Sequence, residues 1–128
     1  MSPKIQSVIS RDVARPLGPY CHAVIANGQV YTSGQLGFTA ASQFAGSDIR
    51  SQTRQAFTNI QAVLQTAGSD LDYVLKTSVF LQDMDDFDGM NEVYAEIFGD
   101  HRPARSAFQV SRLPKDGLVE IETIALLK

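Results

Sequence analysis

The arrangement of two helical segments among short β-prone runs most constrains how this chain can fold. Within Asp48–Ala67, apolar and small residues recur at helical spacing, with Ser47 or Asp48 as the candidate cap and Gly68 as the terminator. The run Val74–Leu81 that follows is mostly apolar or β-branched, which predicts a buried strand. A helix that is apolar on one side must bury that side against other elements, such as these strands.

A second amphipathic segment, Asp85–Phe98, predicts another helix. Acidic residues in its first turn suit the positive end of the helix dipole, and Gly99 follows its end. Asn91 shares a face with the apolar stripe, where an amide must find hydrogen-bond partners. The sequence leaves two interpretations of Asn91 open: a ligand contact, or an amide that is bonded to nearby backbone or merely borders the stripe. The stripe consists of Phe87, Met90, Tyr94, Ile97 and Phe98.

The first half of the chain opens with a predicted β-hairpin. The runs Ala23–Ala26 and Gln29–Ser33 are β-prone, and Asn27-Gly28 between them is a strong hairpin signal. Ile5–Ile9 is a candidate for a further short strand at the sheet edge. With two strands after the second helix, this order predicts an α+β fold, in which a mixed β-sheet has both helices packed on one face. A homo-oligomer with clefts between its subunits would cover the other face.

Length and charge narrow the class of protein. A chain of 128 residues fits a single domain, residues 1–128, and a net charge of −3 argues against a general attraction to nucleic acid. No run approaches the length of a transmembrane helix, so no membrane partner is expected. The segment Met1–Ser10 lacks the apolar block of a secretory signal, which predicts a cytoplasmic location.

The single cysteine and the two histidines argue against several kinds of site. Cys21 alone forms no internal disulfide, and with His22 and His101 it makes no metal-ligand cluster, so no metal is predicted. If Cys21 and His22 lie in a strand, their side chains point to opposite faces and cannot form a nucleophile–base pair with each other. We expect a small buried thiol and a surface imidazole. Ser33 has no histidine near it in an arrangement for nucleophilic catalysis, so its hydroxyl is expected to orient another group.

The segment from Arg102 to Ala125 carries the strongest chemical signal. The Arg105 guanidinium can hold a carboxylate through two parallel hydrogen bonds, and Glu120 can position or deprotonate a water molecule. Together they predict hydrolysis of a small acid without a cofactor. A structural interpretation competes with this one. In it Arg105 is a solvated edge residue, and Glu120 and Glu122 form the polar side of a strand whose other side carries Val119, Ile121 and Ala125.

Seven short motifs, in their order and spacing, resemble one known family over almost the whole chain. They are Gly18-Pro19-Tyr20, Thr32-Ser33-Gly34-Gln35, Lys76-Thr77-Ser78-Val79-Phe80, Asp86-Phe87 to Asn91-x-x-Tyr94, Arg102-Pro103-Ala104-Arg105-Ser106, Leu113-Pro114-Lys115 and Val119-Glu120-Ile121-Glu122. This pattern resembles the Rid family, also called the YjgF or liver perchloric-acid-soluble protein (L-PSP) family. The resemblance implies a chorismate-mutase-like α+β fold, assembled as a homotrimer with ligand clefts at the subunit interfaces. Its deaminase branch hydrolyses 2-imino acids, such as 2-iminobutanoate and 2-iminopropanoate, to 2-keto acids and ammonia without a cofactor.

The resemblance also implies roles for individual residues. Arg105 matches the arginine that binds the substrate carboxylate, and Glu120 matches the glutamate that positions the attacking water. Gly34 would allow close approach of the backbone. The other residues that match the family's pocket are Tyr20, Ser33, Asn91 and Ala107.

Ala107 departs from the family pattern, because many deaminase-active members carry a cysteine two residues after the arginine. If that side chain tunes the pocket, the substrate range or rate differs here. The loop Phe38–Ser47 also lacks the proline and acidic turn pattern common in relatives, which bears on access to the pocket. Two other functions stay open: an endoribonuclease or translation inhibitor, and a non-catalytic trimer that binds small carboxylates. The excess of acidic over basic residues and the lack of a basic, aromatic-rich stretch argue against an RNA substrate.

Overall fold

The chain folds into one mixed β-sheet with two α-helices, the α+β architecture that the sequence predicts. The computed structural model describes residues 4–128, so the start of the Met1–Ser10 segment lies outside the described residues. The strands are β1 (Gln6–Val8), β2 (Ala23–Ala26), β3 (Gln29–Thr32), β4 (Gln35–Leu36), β5 (Val74–Leu81), β6 (Ala104–Gln109) and β7 (Val119–Leu126), and the helices are α1 (Ile49–Ala67) and α2 (Phe87–Phe98). Short 3₁₀ turns cover Leu71–Tyr73, Met84–Asp86 and Pro114–Asp116.

Strands β5 and β7 form the centre of the sheet. The strand order is β1-β2-β3-β7-β5-β6, and the two-residue strand β4 also pairs with β7. Among the strand pairs of the described chain, β5 and β6 run parallel and the others run antiparallel. A parallel pair needs a long crossover connection, and α2 provides it between β5 and β6.

The β2–β3 hairpin forms where the sequence predicts it. Asn27 and Gly28 both have positive φ angles, 53° and 76°, as a type I′ turn requires at its two central positions. Ala26 pairs with Gln29 across this turn. Strand β1 pairs with the outer side of β2, which confirms the predicted edge strand within Ile5–Ile9.

Helix α1 begins and ends at the predicted caps. The Asp48 side chain accepts a hydrogen bond from the backbone N–H of Ser51, and Gly68 adopts the left-handed conformation with φ of 94°. The two helices pack against each other and against the same face of the sheet, around Phe57. The principal core residues of the helices and central strands are Ala56, Phe57, Ile60, Leu64, Val79, Leu81, Met90, Tyr94, Phe98, Val119 and Ile121.

The other face of the sheet is open. On β7, Val119 and Ile121 are buried under the helices, whereas Glu120 and Glu122 lie half-buried on the opposite side. Strand β5 also buries only one side, so the prediction of a buried strand is correct for that side alone. Around the two glutamates the open face carries Tyr31, Lys76, Ser78, Phe80, Ser106, Phe108 and Ile124. Neither described helix is long and apolar enough to cross a membrane.

Strand β4, which the sequence pattern does not predict, starts a second small core. Its Leu36 pairs with Glu120 of β7 and packs with Phe38 and Leu113. The loop after β4 folds back on itself, and the rings of Phe38 and Phe44 lie 4.5 Å apart between centroids. This loop therefore forms an apolar wall beside Glu120.

Candidate functional site

Arg105 lies on β6, on the side of the sheet that the helices cover. Its Nη1 donates a 2.6 Å hydrogen bond to Oδ1 of Asn91 on α2. Its guanidinium carbon stands 4.8 Å from the ring centroid of Tyr94 and 5.5 Å from that of Phe87. Two aromatic faces and one amide oxygen thus hold the planar cation from several directions. The amide of Asn91 is bonded to the Arg105 side chain rather than to backbone.

The Arg105 cation has no carboxylate partner within residues 4–128. The nearby α2 acids Glu92 and Glu96 pair instead with Arg50 and Arg54 of α1, at 2.9 and 2.7 Å. A partly buried guanidinium without an anion retains N–H donors that can bind one. Beside it lies a depression of about 360 Å³, lined by Asn91, Tyr94, Ala95, Arg102, Pro103 and Arg105.

Tyr94 presents a neutral ring to this cation. Burial raises the pKa of its phenol, and the hydrogen bond to Thr77 and the charge of Arg105 oppose that rise only in part. The hydroxyl oxygens of Tyr94 and Thr77 lie 2.7 Å apart. This bond fixes the ring that stacks on Arg105.

Glu120 lies in a different cleft, on the open side of β7. This cleft has a volume of about 200 Å³. A Cβ atom at Gly34 would lie 2.8 Å from Cδ of Glu120, closer than a real side chain allows, so the carboxyl group occupies the space that glycine leaves. Besides these two residues, the cleft is lined by Ala14, Arg15, Pro16, Leu17, Gly18, Pro19, Tyr20, His22, Gln35, Leu36, Phe38 and Pro114.

The environment of Glu120 makes its carboxyl group a weaker acid than usual. Burial raises its pKa, and the negative charge of Glu122, two residues along the same strand face, raises it further. Among the described residues, no group donates a hydrogen bond to its carboxylate that would oppose this rise. A raised pKa makes the ionised carboxylate a stronger base, which suits general acid–base catalysis.

Within one chain, Arg105 and Glu120 lie on opposite faces of the sheet. In the strand register, Arg105 is beside Thr77 of β5, and Thr77 is beside Thr123 of β7, so these three side chains share the helix-covered face. Glu120 is three residues from Thr123, and side chains alternate along a strand, so it points to the other face. The two predicted catalytic residues are also separated by β5, and one chain does not bring them together.

The other predicted pocket residues divide between the two sides. Tyr20 lines the Glu120 cleft, where its ring is 47% exposed and its hydroxyl accepts a 3.1 Å hydrogen bond from the Leu17 N–H. Ser33 precedes Gly34, and its hydroxyl donates to the Cys21 carbonyl at 2.7 Å. Ala107 follows Arg105 on the same face of β6 and packs against the main core.

The predicted burial of the Cys21 thiol and the predicted exposure of the His22 imidazole are wrong. The imidazole of His22 is only 1% exposed, whereas the thiol of Cys21 is half-buried rather than buried. His22 precedes β2 rather than lying within it, so strand alternation does not set its direction. Its ring accepts a hydrogen bond from the Ser10 N–H, 3.0 Å from Nδ1, and lies 2.9 Å through Nε2 from the Ala14 carbonyl. The burial follows from the loop that closes over the ring through Ser10 and Ala14, which no local pattern around His22 indicates.

Comparison with known proteins identifies the family. The family described as Endoribonuclease L-PSP matches residues 11–127. A RutC family protein of Pyrococcus horikoshii is 46% identical over 119 residues, which cover 92% of this chain and 94% of the relative. A bovine relative named 2-iminobutanoate/2-iminopropanoate deaminase is 43% identical over 128 residues, which cover 98% and 93% of the two chains.

Solved structures agree with this match. A Rid family protein of Yersinia pestis superimposes with a TM-score of 0.93 at 38% identity and covers 97% of this chain and all of its own. Escherichia coli TdcF, solved with bound serine, has a TM-score of 0.91 at 34% identity, and the match covers 96% of this chain and 99% of TdcF. Sequence and fold therefore agree over nearly the full length, and this chain belongs to the Rid family, whose family description is Endoribonuclease L-PSP.

Proposed function

We propose that this protein hydrolyses 2-imino acids, such as 2-iminobutanoate and 2-iminopropanoate, to 2-keto acids and ammonia. The observation that carries the proposal is the Arg105 guanidinium, which is held in one orientation and has no carboxylate partner among the described residues. It can bind the substrate carboxylate through two parallel hydrogen bonds. The name of the bovine relative specifies the same reaction for that protein.

Glu120 supplies the proton transfers in this proposal. A protonated imine is already electrophilic, so water can add to its carbon while Glu120 accepts a proton from the water. The electron pair of the C=N bond moves to nitrogen and gives a carbinolamine. Glu120 then returns the proton to this nitrogen. The hydroxyl then passes its proton to Glu120 as the C–N bond breaks, and Glu120 gives that proton to the departing ammonia, so the products are the 2-keto acid and ammonium.

The active unit in this proposal is a homotrimer with the chorismate-mutase-like arrangement that the family resemblance implies. Arg105 and Glu120 point away from opposite faces of one sheet, so a site that uses both needs two copies of the chain. The open face gives such copies a surface to cover, with exposed Tyr31 and Phe108 among its residues. Each cleft then contains Arg105 and Asn91 of one subunit and Tyr20, Ser33, Gly34 and Glu120 of another.

Two observations favour other functions. The family description names an endoribonuclease, although a net charge of −3 gives little general attraction to RNA. TdcF was solved with bound serine, a small carboxylate, so the second alternative is a protein that only binds such ligands. The second alternative predicts thermal stabilisation by a 2-keto acid in the absence of imine hydrolysis.

To test this, the imine is generated in situ with an amino-acid oxidase, and its disappearance is followed in the presence of the purified protein. We expect the wild type to accelerate hydrolysis, Arg105→Ala to lose roughly 100-fold or more in kcat/KM, and Glu120→Gln to lower kcat more than it raises KM. Arg112→Ala is the matched control, because Arg112 is an exposed arginine paired with Asp116 at 3.0 Å and lies in neither depression. Equal rates for wild type, Arg105→Ala and Glu120→Gln would contradict the proposal.

A further inference from the structure

His22 forms hydrogen bonds with several of the segments around the Glu120 cleft. Its ring accepts the Ser10 N–H at Nδ1, 3.0 Å away, so the remaining ring proton is on Nε2, which donates to the Ala14 carbonyl at 2.9 Å. Its backbone N–H donates to the Val8 carbonyl at 3.0 Å, and its own carbonyl accepts the Ser33 N–H at 2.9 Å. One buried residue therefore connects the end of β1, the loop after it and the Ser33-Gly34 segment.

Within the loop from Ile9 to Tyr20, side-chain hydrogen bonds join only Asp12 N–H to the Ser10 hydroxyl and Leu17 N–H to the Tyr20 hydroxyl, so the ring contacts add to the anchoring of the loop by buried Val13. Pro16 and Pro19 have no N–H to donate, and the backbone bond within the loop joins Tyr20 to Gly18. Yet residues 14–20 form one continuous wall of the Glu120 cleft. The His22 ring bonds Ala14, where that wall starts, and Ser10, whose hydroxyl also accepts a 3.0 Å hydrogen bond from Thr66 of α1.

The opposite wall depends on the same residue. Gly34 abuts the Glu120 carboxyl group, and the residue before it, Ser33, is held through its N–H by the His22 carbonyl. The hydroxyl of Ser33 also bonds the carbonyl of Cys21, the neighbour of His22. Both walls of the cleft are therefore hydrogen-bonded to His22 or to its neighbour Cys21.

We propose that His22 is a positioning residue for the reaction at Glu120: in its neutral form, with the proton on Nε2, it holds the Ser10–Tyr20 loop against the cleft. It does not touch the reacting atoms. This inference rests on the proposed function, because it takes the Glu120 cleft as the place of reaction. Its role is to keep the loop wall in place for substrate binding, so its loss acts on KM.

The test compares His22→Leu with His22→Gln. Leucine removes both ring hydrogen bonds, whereas glutamine retains one acceptor and one donor on a side chain of similar length. Because Val13 remains buried in the core, the loop stays attached and the fold can form without the ring bonds. We expect His22→Leu to raise KM roughly tenfold with kcat within about twofold of wild type, and His22→Gln to restore most of the difference.

His101 provides the matched control. It is the other histidine of the chain, it is also hydrogen-bonded to a backbone carbonyl, Val74 at 2.8 Å, and it does not line the Glu120 cleft. His101→Leu should lower thermal stability without raising KM. If His22→Leu instead lowers kcat in parallel with the folded fraction and leaves KM unchanged, His22 is only structural and the inference is wrong.

A second readout separates this inference from the proposed function. Amide hydrogen exchange at Ser10 reports its bond to Nδ1 directly and needs no turnover. We expect slow exchange in wild type and His22→Gln, and fast exchange at Ser10 in His22→Leu but not in His101→Leu. If the wild type does not hydrolyse imines, the proposed function is refuted, but the expected pattern of amide exchange at Ser10 is unaffected. Slow exchange at Ser10 in His22→Leu would show that the His22 ring does not hold the loop, and would refute this inference.

Discussion

The surroundings of Arg105 and those of Glu120 differ in what holds the charged group. Arg105 has an amide oxygen at 2.6 Å and two aromatic faces, so its orientation is set by direct contacts. Glu120 accepts no hydrogen bond within the described chain, and its place is set by the space that Gly34 leaves. In the proposed reaction, the Arg105 side would bind the substrate anion and the Glu120 side would exchange protons.

This difference suits the separate roles that the proposed function gives to Arg105 of one copy and Glu120 of another. An anchor gains from rigidity because ordering it in advance lowers the cost of binding. A proton-transfer group gains from a raised pKa, which burial and the Glu122 charge provide. Substitutions on the Arg105 side and on the Glu120 side should therefore have different effects.

The largest effect is expected from mixing two inactive variants. Arg105→Ala and Glu120→Gln damage different sides of the sheet, so a mixed oligomer contains some clefts with one intact Arg105 and one intact Glu120. With random assembly in equal amounts, about one quarter of the clefts should be intact, and activity should return to about that fraction of wild type. Activity is measured after co-expression of the two differently tagged chains.

The control for this mixing experiment replaces Glu120→Gln by the double variant Arg105→Ala/Glu120→Gln. This mixture contains no intact Arg105, so it should stay inactive. If the first mixture also stays inactive although mixed oligomers are isolated, the two residues do not meet across an interface.

The next largest effect is expected from Gly34→Ala. The added Cβ would stand 2.8 Å from Cδ of Glu120 and would push the carboxyl group aside. A displacement of about 1 Å at a reacting group can cost roughly 100-fold in rate, so kcat should fall by that order while KM changes little. Gly28→Ala is the control: its Cβ meets nothing within 4 Å, but φ is 76°, so it should lower stability and leave kcat unchanged. Unchanged kcat in Gly34→Ala would show that the Glu120 position is not critical.

A smaller effect is expected on the anchor side from Asn91→Ala. Loss of the 2.6 Å bond frees the Arg105 side chain, and we expect KM to rise roughly tenfold with kcat nearly unchanged. Tyr94→Phe keeps the ring that stacks on Arg105 and removes only the hydroxyl, so it should lower stability by about 1 kcal/mol and leave KM close to wild type. Equal KM values for the two variants would argue against a role of Asn91 in anchoring.

The smallest effect is a change in pH dependence in Glu122→Gln. The Glu122 charge raises the pKa of Glu120, so its removal lowers that pKa, while burial, the larger cause, remains. Glu120 then stays ionised to lower pH. In a plot of kcat/KM against pH, the fall in activity on the acidic side (the acidic limb) should therefore move to lower pH. Glu122→Asp keeps the negative charge and should keep the limb close to its wild-type position. A limb that stays in place in Glu122→Gln would mean that a group other than Glu120 controls it.

Features that depend on neighbouring residues could be predicted from the sequence. The Asn27-Gly28 turn needs only two residues that tolerate positive φ, and the ends of α1 need only Asp48 and Gly68. The alternation along β7 likewise separates Glu120 from its buried neighbours before any partner strand is known. These signals act over a few residues, and the structure confirms them.

Features that depend on distant pairing could not be predicted. Strand β4 is two residues long and exists because β7 pairs with it, about eighty residues later. The opposite directions of Arg105 and Glu120 follow from the register of β6 and β7 on β5, which no local pattern contains. The burial of His22 depends on a loop that closes over its ring. The roles of Arg105, Glu120 and the pocket residues stay predictions.

The placement of Arg105 and Glu120 on opposite faces of one sheet also makes the proposed reaction sensitive to dilution. A folded single copy would carry an anchor and a base that cannot reach the same molecule. Specific activity should therefore fall when the protein is diluted below the concentration at which it assembles, while its secondary structure persists. For such a protein, the cellular amount of the chain would regulate both how many sites exist and whether any site is complete.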